Sequence, residues 1–332
     1  MIPNQWYVLL ESRQVKDTPI GVTRMGEKMV FWRDADGQVS CLRDRCPHRG
    51  VALSRGQIIN GNLQCPFHGF EYDASGRCTL IPANGRSASV PKVFQAHSYP
   101  TYESRGFIWV WWGGNPPDEL PPPRFFDDVD DTFTYRTIYD PWDAHYTRVI
   151  ENQLDVAHVP FLHYNTIGRG NRTLFDGPGL QWIDKDLFYI YTYNRVDDGT
   201  PPRKPSQVPA PDPTREYKLE FLFPNLWQNY IQADMRVIGA FVPVDEEHTL
   251  LYLRYCQRFV TLPLLRDLVA WLALPYNRYI AHQDRRIVVT HQPLASGLRI
   301  GERLIQADQP IIAYRRRREA LLASARQAPD RA

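Results

Sequence analysis

Residues 46–70 read CPHRGVALSRGQIINGNLQCPFHGF. The stretch sets Cys46-x-His48 against Cys65-x-x-His68, so each of two loops delivers one sulfur and one nitrogen. Thiolate and imidazole are donors that soft metals and iron–sulfur clusters accept. Zinc is the competing occupant, since two cysteines and two histidines are a common zinc set. Structural zinc usually draws its cysteines from one short spacing and its histidines from another. One of each per loop suits a [2Fe–2S] centre with Cys46 and Cys65 on one iron and His48 and His68 on the other. Gly50 and Gly69 follow the ligands, where the backbone is expected to come close and donate N–H to sulfur.

Around this stretch the first third of the chain reads as short strands and tight turns. KMVFWRDADGQVSCLRD (28–44) is a hairpin about Asp36-Gly37, FEYDASGRCTL turns again at Asp73–Gly76, and GFIWVWWG (106–113) is an apolar strand. A small antiparallel β domain over 1–118 is expected. GGNPPDELPPPRFFDDVDD (113–131) has the prolines and acids of a linker, and a second domain spans 119–332.

That second part mixes types. YDPWDAHYTRVIENQLDVAHVPFLHYN (139–165) looks helical until Pro160. Three strand-like runs come next, LQWIDKDLFYIYTYNRV, EYKLEFLFPNLWQNYIQ and MRVIGAFVPVDEEHTLLYLRYCQRF, and then a helix-rich tail from 263. The fold class is therefore α+β. Residues 197–216 carry six prolines and form either a disordered excursion or a lid.

Within ENQLDVAHVPFLH (151–163), Asn152, Asp155 and His158 are three apart and share one helical face. His163 comes five residues after His158. Pro160 is expected to end or kink the helix and let His163 swing back. Two histidines and a carboxylate on one side of an iron leave positions open for O₂ and substrate.

Bulk properties bound the rest. The chain has 332 residues, 43% hydrophobic and 23% charged, with a net charge of +2, so nothing marks it as a nucleic-acid binder. The start lacks a secretory pattern, and five cysteines, an odd number, point to a reducing, cytoplasmic compartment. Cys41, Cys78 and Cys256 are expected as buried thiols. VTLPLLRDLVAWLALP (260–275) is too short and too charged to span a bilayer. It is expected as a helix packed on the domain, with a membrane-surface helix as the alternative. YRRRREALLASAR (314–326) is a solvated basic helix face or a dock for an acidic redox partner.

CPHRG…CPFHGFEYD resembles the Rieske domain of the Rieske non-haem iron oxygenases. Respiratory Rieske proteins carry a further cysteine in each ligand loop, where this chain has Val51 and Phe67. Residues 151–163 resemble the same family's mononuclear-iron motif. The resemblance implies a helix-grip (START-like) catalytic domain and makes His158 and His163 ligands of a mononuclear Fe(II). It casts Asp155 as a carboxylate linking His158 to His68 of a neighbouring subunit, and Asn152 as a neighbour of the iron. HQDRRIVVTHQP (282–293) resembles the late segment that supplies the third ligand, here Asp284, with His282, His291 and Asp267 as rivals.

The function implied by the resemblance is that of a terminal oxygenase. It would hydroxylate or oxidatively demethylate an apolar, ring-containing molecule, cis-dihydroxylation being the alternative outcome. A head-to-tail homotrimer is implied. GRGNRT (168–173) is a poor dinucleotide loop, and there is no plant-type ferredoxin run, so electrons come from a separate NAD(P)H-dependent reductase, with or without a ferredoxin. A Rieske electron carrier fused to a non-catalytic ligand-binding domain is the reading from a different class. Phe221, Phe223, Trp227 and Tyr230 are expected mostly as core.

Overall fold

The structure is a computed structural model that describes residues 1–114, 119–168, 170–209 and 217–327. It divides into two compact units, one over Pro3–Arg124 and one from Phe125 on. The boundary expected at 118 lies outside the described residues, and residues 119–124 stay with the first unit. One reason is that the Trp6 indole N–H donates to the Pro121 carbonyl at 2.8 Å.

The first unit opens with β1 (Gln5–Glu11), β2 (Ile20–Arg24), β3 (Glu27–Arg33) and β4 (Val39–Arg43). It continues with β5 (Gln57–Ile59), β6 (Asn62–Gln64), β7 (Glu71–Tyr72), β8 (Cys78–Leu80), β9 (Ser98–Tyr99), β10 (Thr101–Ser104) and β11 (Phe107–Trp112). They form three small sheets, ordered β1-β11-β10, β2-β3-β4-β9 and β5-β6-β7-β8. Two of the turns use the same device. Asp34 Oδ1 accepts from the N–H groups of Asp36 and Gln38, and Asp73 Oδ1 from those of Ser75 and Arg77, so a side chain replaces the missing ladder partner.

The second unit contains β12 (Thr134–Trp142), α1 (Tyr146–Leu154), α2 (Val159–Leu162), β13 (Leu174–Trp182) and β14 (Leu187–Arg195). Next come β15 (Lys218–Leu222), β16 (Leu226–Gln232), β17 (Met235–Pro243) and β18 (Thr249–Gln257), then α3 (Pro263–Leu272), α4 (Leu274–Val288) and α5 (Gln309–Gln327). The strands make one antiparallel sheet of seven, ordered β12-β18-β17-β16-β15-β14-β13. Each strand-like run of the sequence proves to be a strand and its neighbour, parted by a turn.

The structure corrects three expectations. The segment from 139 begins as strand, because β12 runs to Trp142 before α1 starts. The helix ends at Leu154, since Asp155 Oδ1 takes the N–H groups of Ala157 (2.7 Å) and His158 (3.3 Å) and so competes with helix continuation. Pro160 lies in the first turn of α2, where its missing N–H costs nothing, so it starts a helix instead of ending one.

The helix expected to pack on the domain does so only thinly. α3 buries Ala270 and pairs Asp267 with Arg136 at 2.6 Å, while Leu264 is 90% and Trp271 59% exposed. No helix among the described residues is long and apolar enough to cross a membrane.

The basic run on α5 is in part turned inward, which neither expectation foresaw. Arg315 is buried against Glu151 and Glu302, Arg317 pairs with Asp186, and Arg318 lies over the Tyr146 ring, leaving Arg316 exposed. Of the proline-rich segment, residues 210–216 lie outside the described residues. Its first part is tethered where the Arg203 N–H donates to Asp176 Oδ1 at 2.8 Å.

Candidate metal centres and cavity

In the first unit two equivalent turns present the candidate cluster ligands. Cys46 N–H donates to Val51 O and Gly50 N–H to Cys46 O; Cys65 N–H donates to Phe70 O and Gly69 N–H to Cys65 O. The glycine N–H groups therefore close the turns on the cysteine carbonyls, while the backbone N–H groups of Phe67 and His68 bond the Cys65 sulfur, so the backbone does donate to sulfur there as expected. Gly50 and Gly69 have φ of +74° and +72°, a region that side-chain-bearing residues rarely enter.

The sulfurs and nitrogens are sorted by depth. Cys46 and Cys65 are each 2% exposed and unbridged, whereas His48 and His68 are exposed. The two imidazoles lie together, ring centroids 4.7 Å apart, and His48 stacks on Phe70 at 4.8 Å. Tyr72 Oη sits 3.2 Å from Cys46 Sγ, placed to donate to a thiolate. Burial pushes the Cys65 thiol up, so a thiolate there calls for a cation to hold it. Two buried sulfurs below two exposed imidazoles fit a [2Fe–2S] cluster whose histidine-bound iron lies at the surface. Cys41, Cys78 and Cys256 are buried, as expected.

In the second unit the turn after α1 and the face of α4 converge. His158, His163 and Asp284 each offer one ligand atom, all within 4.8 Å of one another. Asp284 Oδ1 is 3.0 Å from His163 Nε2 and 3.4 Å from His158 Nε2. Three donors about 2 Å from one ion stand roughly this far apart, so the set fits a metal with open positions on its other side. Burial alone would lower the His158 imidazolium; the carboxylates of Asp155 and Asp284 outweigh it and push its pKa up to about 9. Burial would raise Asp284, but His158 and His163 hold it down at about 2. The two shifts are two sides of one attraction: the carboxylates favour positive charge on His158, and the histidines favour the ionised form of Asp284.

The rivals are engaged or away from the site. His282 Nε2 lies 3.3 Å from Asp140, Asp267 pairs with Arg136, and His291 is exposed. Asp155 Oδ2 lies 3.7 Å from His158 Nδ1, and the buried Asn152 Nδ2 has no hydrogen-bond partner among the described residues. Sequence reasoning missed two supports. Gln283 Oε1 stands 2.8 Å from His163 Nδ1, and Glu151 ties α1 to Arg315 through bonds of 2.6 and 2.9 Å. Adjacency to Asp284 is the one sequence signal Gln283 carried. Glu151 carried none.

The three donors open on a cavity of about 690 Å³. α4 contributes Tyr276, Asn277, Ile280, Ala281 and Asp284, the spacing of one helical face. The strands contribute alternate residues, among them Leu219, Trp227, Asn229, Val237, Leu251 and Leu253. Trp227 is thus cavity wall, whereas Phe221 and Phe223 pack on Tyr314, and Tyr230 stacks under Arg236 at 3.4 Å.

Residues 5–100 match the Rieske [2Fe-2S] domain, and residues 142–324, more than half of the chain, match the vanillate O-demethylase oxygenase C-terminal domain. The chain belongs to the Rieske oxygenases. Among other Rieske oxygenases, it is 36% identical over 166 residues to the oxygenase component of dicamba O-demethylase from Stenotrophomonas maltophilia, covering 49% of this chain and 48% of that one. It is 29% identical over 258 residues to the oxygenase subunit of 3-chlorobenzoate-3,4-dioxygenase from Comamonas testosteroni, covering 74% and 57%. Across the first four curated relatives it matches, the chain spans between 25% and 48% of their length. Pseudomonas putida CBB5 NdmA shares the fold at a TM-score of 0.76 and 21% identity, covering 99% of this chain and 97% of that one. Rieske oxygenases combine a [2Fe–2S] cluster with a mononuclear iron, the two groups expected from the sequence.

Proposed function

We propose that this chain is the terminal oxygenase of a multicomponent system. It receives electrons from a separate NAD(P)H-dependent reductase, with or without a ferredoxin, and uses O₂ to hydroxylate or oxidatively demethylate an apolar, ring-containing molecule. The observation that carries this reading is the convergence of His158, His163 and Asp284 at the wall of a cavity of about 690 Å³. A pure electron carrier has no use for that arrangement. A cavity of this size suits a small organic molecule.

In this reading Cys46, His48, Cys65 and His68 hold the cluster, and His158, His163 and Asp284 hold the mononuclear iron. The iron supplies O₂ activation. Asn152 stands beside it with its amide N–H₂ group unpaired among the described residues. The substrate carbon gains a hydroxyl, two electrons and two protons are consumed, and the second oxygen atom leaves as water. Where that carbon is a methyl on oxygen or nitrogen, the hydroxylated product loses formaldehyde and the outcome is demethylation. The apolar strand residues exclude water around the reacting carbon.

Asp155 is proposed to join the two centres across a subunit boundary in a head-to-tail homotrimer, meeting His68 of a neighbouring subunit. Its partly exposed carboxylate beside His158 and the exposure of His68 support this.

The test is metal analysis with labelled oxygen. Iron in excess of the cluster's two atoms, lost in Asp284→Ala while the Rieske absorbance remains, is expected, together with one ¹⁸O atom from O₂ in a hydroxylated product or, on demethylation, release of formaldehyde and an unlabelled demethylated product. A cis-dihydrodiol carrying two ¹⁸O atoms would favour dihydroxylation. Full iron occupancy in Asp284→Ala would remove Asp284 from the ligand set.

A further inference from the structure

α3 presents its apolar side to solvent. Leu264, Leu265, Leu268, Trp271 and Leu272 are all exposed, Leu264 at 90% and Trp271 at 59%. With successive residues about 100° apart, these five fall within an arc of about 120°. The other side of the helix meets the domain, through the buried Ala270 and the pair of Asp267 with Arg136. The helix is therefore amphipathic in the reverse sense of one that packs on a core. Single exposed leucines need no explanation, whereas five large apolar side chains on one face mark a surface that something covers.

The face runs on to the mouth of the cavity. Ala273 closes α3 and opens α4, whose Tyr276 lines the cavity and is also 52% exposed. Ile167 and Tyr217 likewise line the cavity while standing exposed, so its rim is apolar too.

The chemistry of the face selects its cover. A protein interface carries several hydrogen bonds, yet the side chains of this face offer the Trp271 indole N–H alone. A head-to-tail ring would set the face against a different surface of the neighbouring copy. The large apolar side chains that the first unit exposes among the described residues are Phe67, Val93 and Tyr102, too few to match it. A lipid surface needs no such matching, and leucine and tryptophan on one side with arginines nearby make a helix that lies in a membrane interface. Residues 258–288 carry five arginines against Asp267 and Asp284. Both acids are engaged, whereas Arg266, Arg278 and Arg286 are exposed with no ion-pair partner among the described residues.

We propose that the apolar face of α3 seats on an anionic lipid surface, with Tyr276 and the cavity mouth at the boundary. This goes beyond the oxygenase reading and does not depend on it.

Vesicle co-sedimentation of the full, metal-loaded chain tests the contact, with phosphatidylcholine alone and phosphatidylcholine mixed with phosphatidylglycerol. The protein should bind the mixed vesicles at least about fivefold tighter than phosphatidylcholine alone, and high salt should remove that preference. Arg266→Glu should reduce it as well. Leu264→Glu/Trp271→Glu, at side chains exposed in the free protein, should weaken vesicle binding by at least about tenfold and leave thermal unfolding and sedimentation velocity unchanged. Tyr276→Glu should weaken it too. No binding by the parent, equal affinity for the two vesicle types, or parental binding in either of these apolar-face variants would overturn the proposal. A Leu264→Glu/Trp271→Glu chain that sediments as a smaller species than the parent would assign the face to a second copy and overturn it also. Vesicle binding needs no turnover, so a failure to form product counts against the oxygenase reading and leaves the lipid contact standing.

Discussion

Gln283 Oε1 stands 2.8 Å from His163 Nδ1, and it also accepts from Thr166 Oγ1 at 3.0 Å while its own Nε2 donates to Asn165 at 2.9 Å. The amide is therefore locked with oxygen towards the ring. His163 Nδ1 is thus the nitrogen held by Gln283, which leaves Nε2, 3.0 Å from Asp284 Oδ1, as the one that would bind a metal. An imidazole is oriented for a metal in this way, one nitrogen held by a neighbour and the other left to bind.

Gln283→Leu should weaken mononuclear-iron binding by about 10- to 100-fold and leave the cluster spectrum unchanged. Iron titration of the metal-stripped second site reads this directly. An affinity equal to the parent's would show that His163 needs no such support.

Asp155→Asn keeps the side-chain oxygen that accepts from the Ala157 and His158 N–H groups, so the turn after α1 should persist. The charge facing His158 is lost. Both metals should remain bound, while reoxidation of the reduced cluster in the presence of substrate and O₂ slows by at least about tenfold. Stopped-flow absorbance of the cluster measures it, and a parental rate would exclude Asp155 from the electron path.

Arg315 and Glu151 form a buried two-bond pair, each under 10% exposed at the side chain, and Arg148 and Glu302 complete it. Arg315→Met leaves Glu151 buried and short of its main counter-charge. Stability should fall by about 3–5 kcal/mol in denaturant unfolding, because a broken buried pair costs more than the intact pair contributes. The double variant Glu151→Gln/Arg315→Met should recover part of the loss. No recovery would mean that packing, not charge, dominates.

Glu220 is 2% exposed on the sheet face away from the cavity. Burial first, then Asp128, push its pKa up to about 7 against the pull of Lys218 and Arg236. A carboxyl raised from about 4.3 in the unfolded chain binds its proton more tightly when folded. Its contribution is therefore fully present below about pH 4 and is lost as pH rises through about 7. Glu220→Gln should stabilise the protein on the order of 2 kcal/mol at pH 8 and little at pH 5. Urea unfolding at the two pH values decides it; the same difference at both would refute the shift.

The ligand residues were legible because metal chemistry restricts residue type and spacing together. Cys46-x-His48 and Cys65-x-x-His68 need no tertiary information to suggest a cluster, and His158 and His163 sit close enough in sequence to read as a pair. Asp284 was found only through its segment's likeness to a family pattern, since 121 residues separate it from His163. Local pattern misread the helix ends, because Asp155 can cap a turn as readily as sit in a helix and Pro160 can begin a helix as readily as stop one.

By itself, then, the sequence determined the Cys46, His48, Cys65 and His68 set, the His158 and His163 pair, the α+β class and the strand-rich runs, all of which rest on residue type and short-range periodicity. Only the tertiary structure decided which carboxylate among Asp267 and Asp284 meets the histidines, that Arg315 and Arg317 of α5 point inward to Glu151, Glu302 and Asp186, and that Trp227 and Asn229 line the cavity. The physical reason is that pairing and burial are settled by contacts between segments far apart in the chain, where the same side chain is core, ligand or wall according to what the sheet and α4 bring against it.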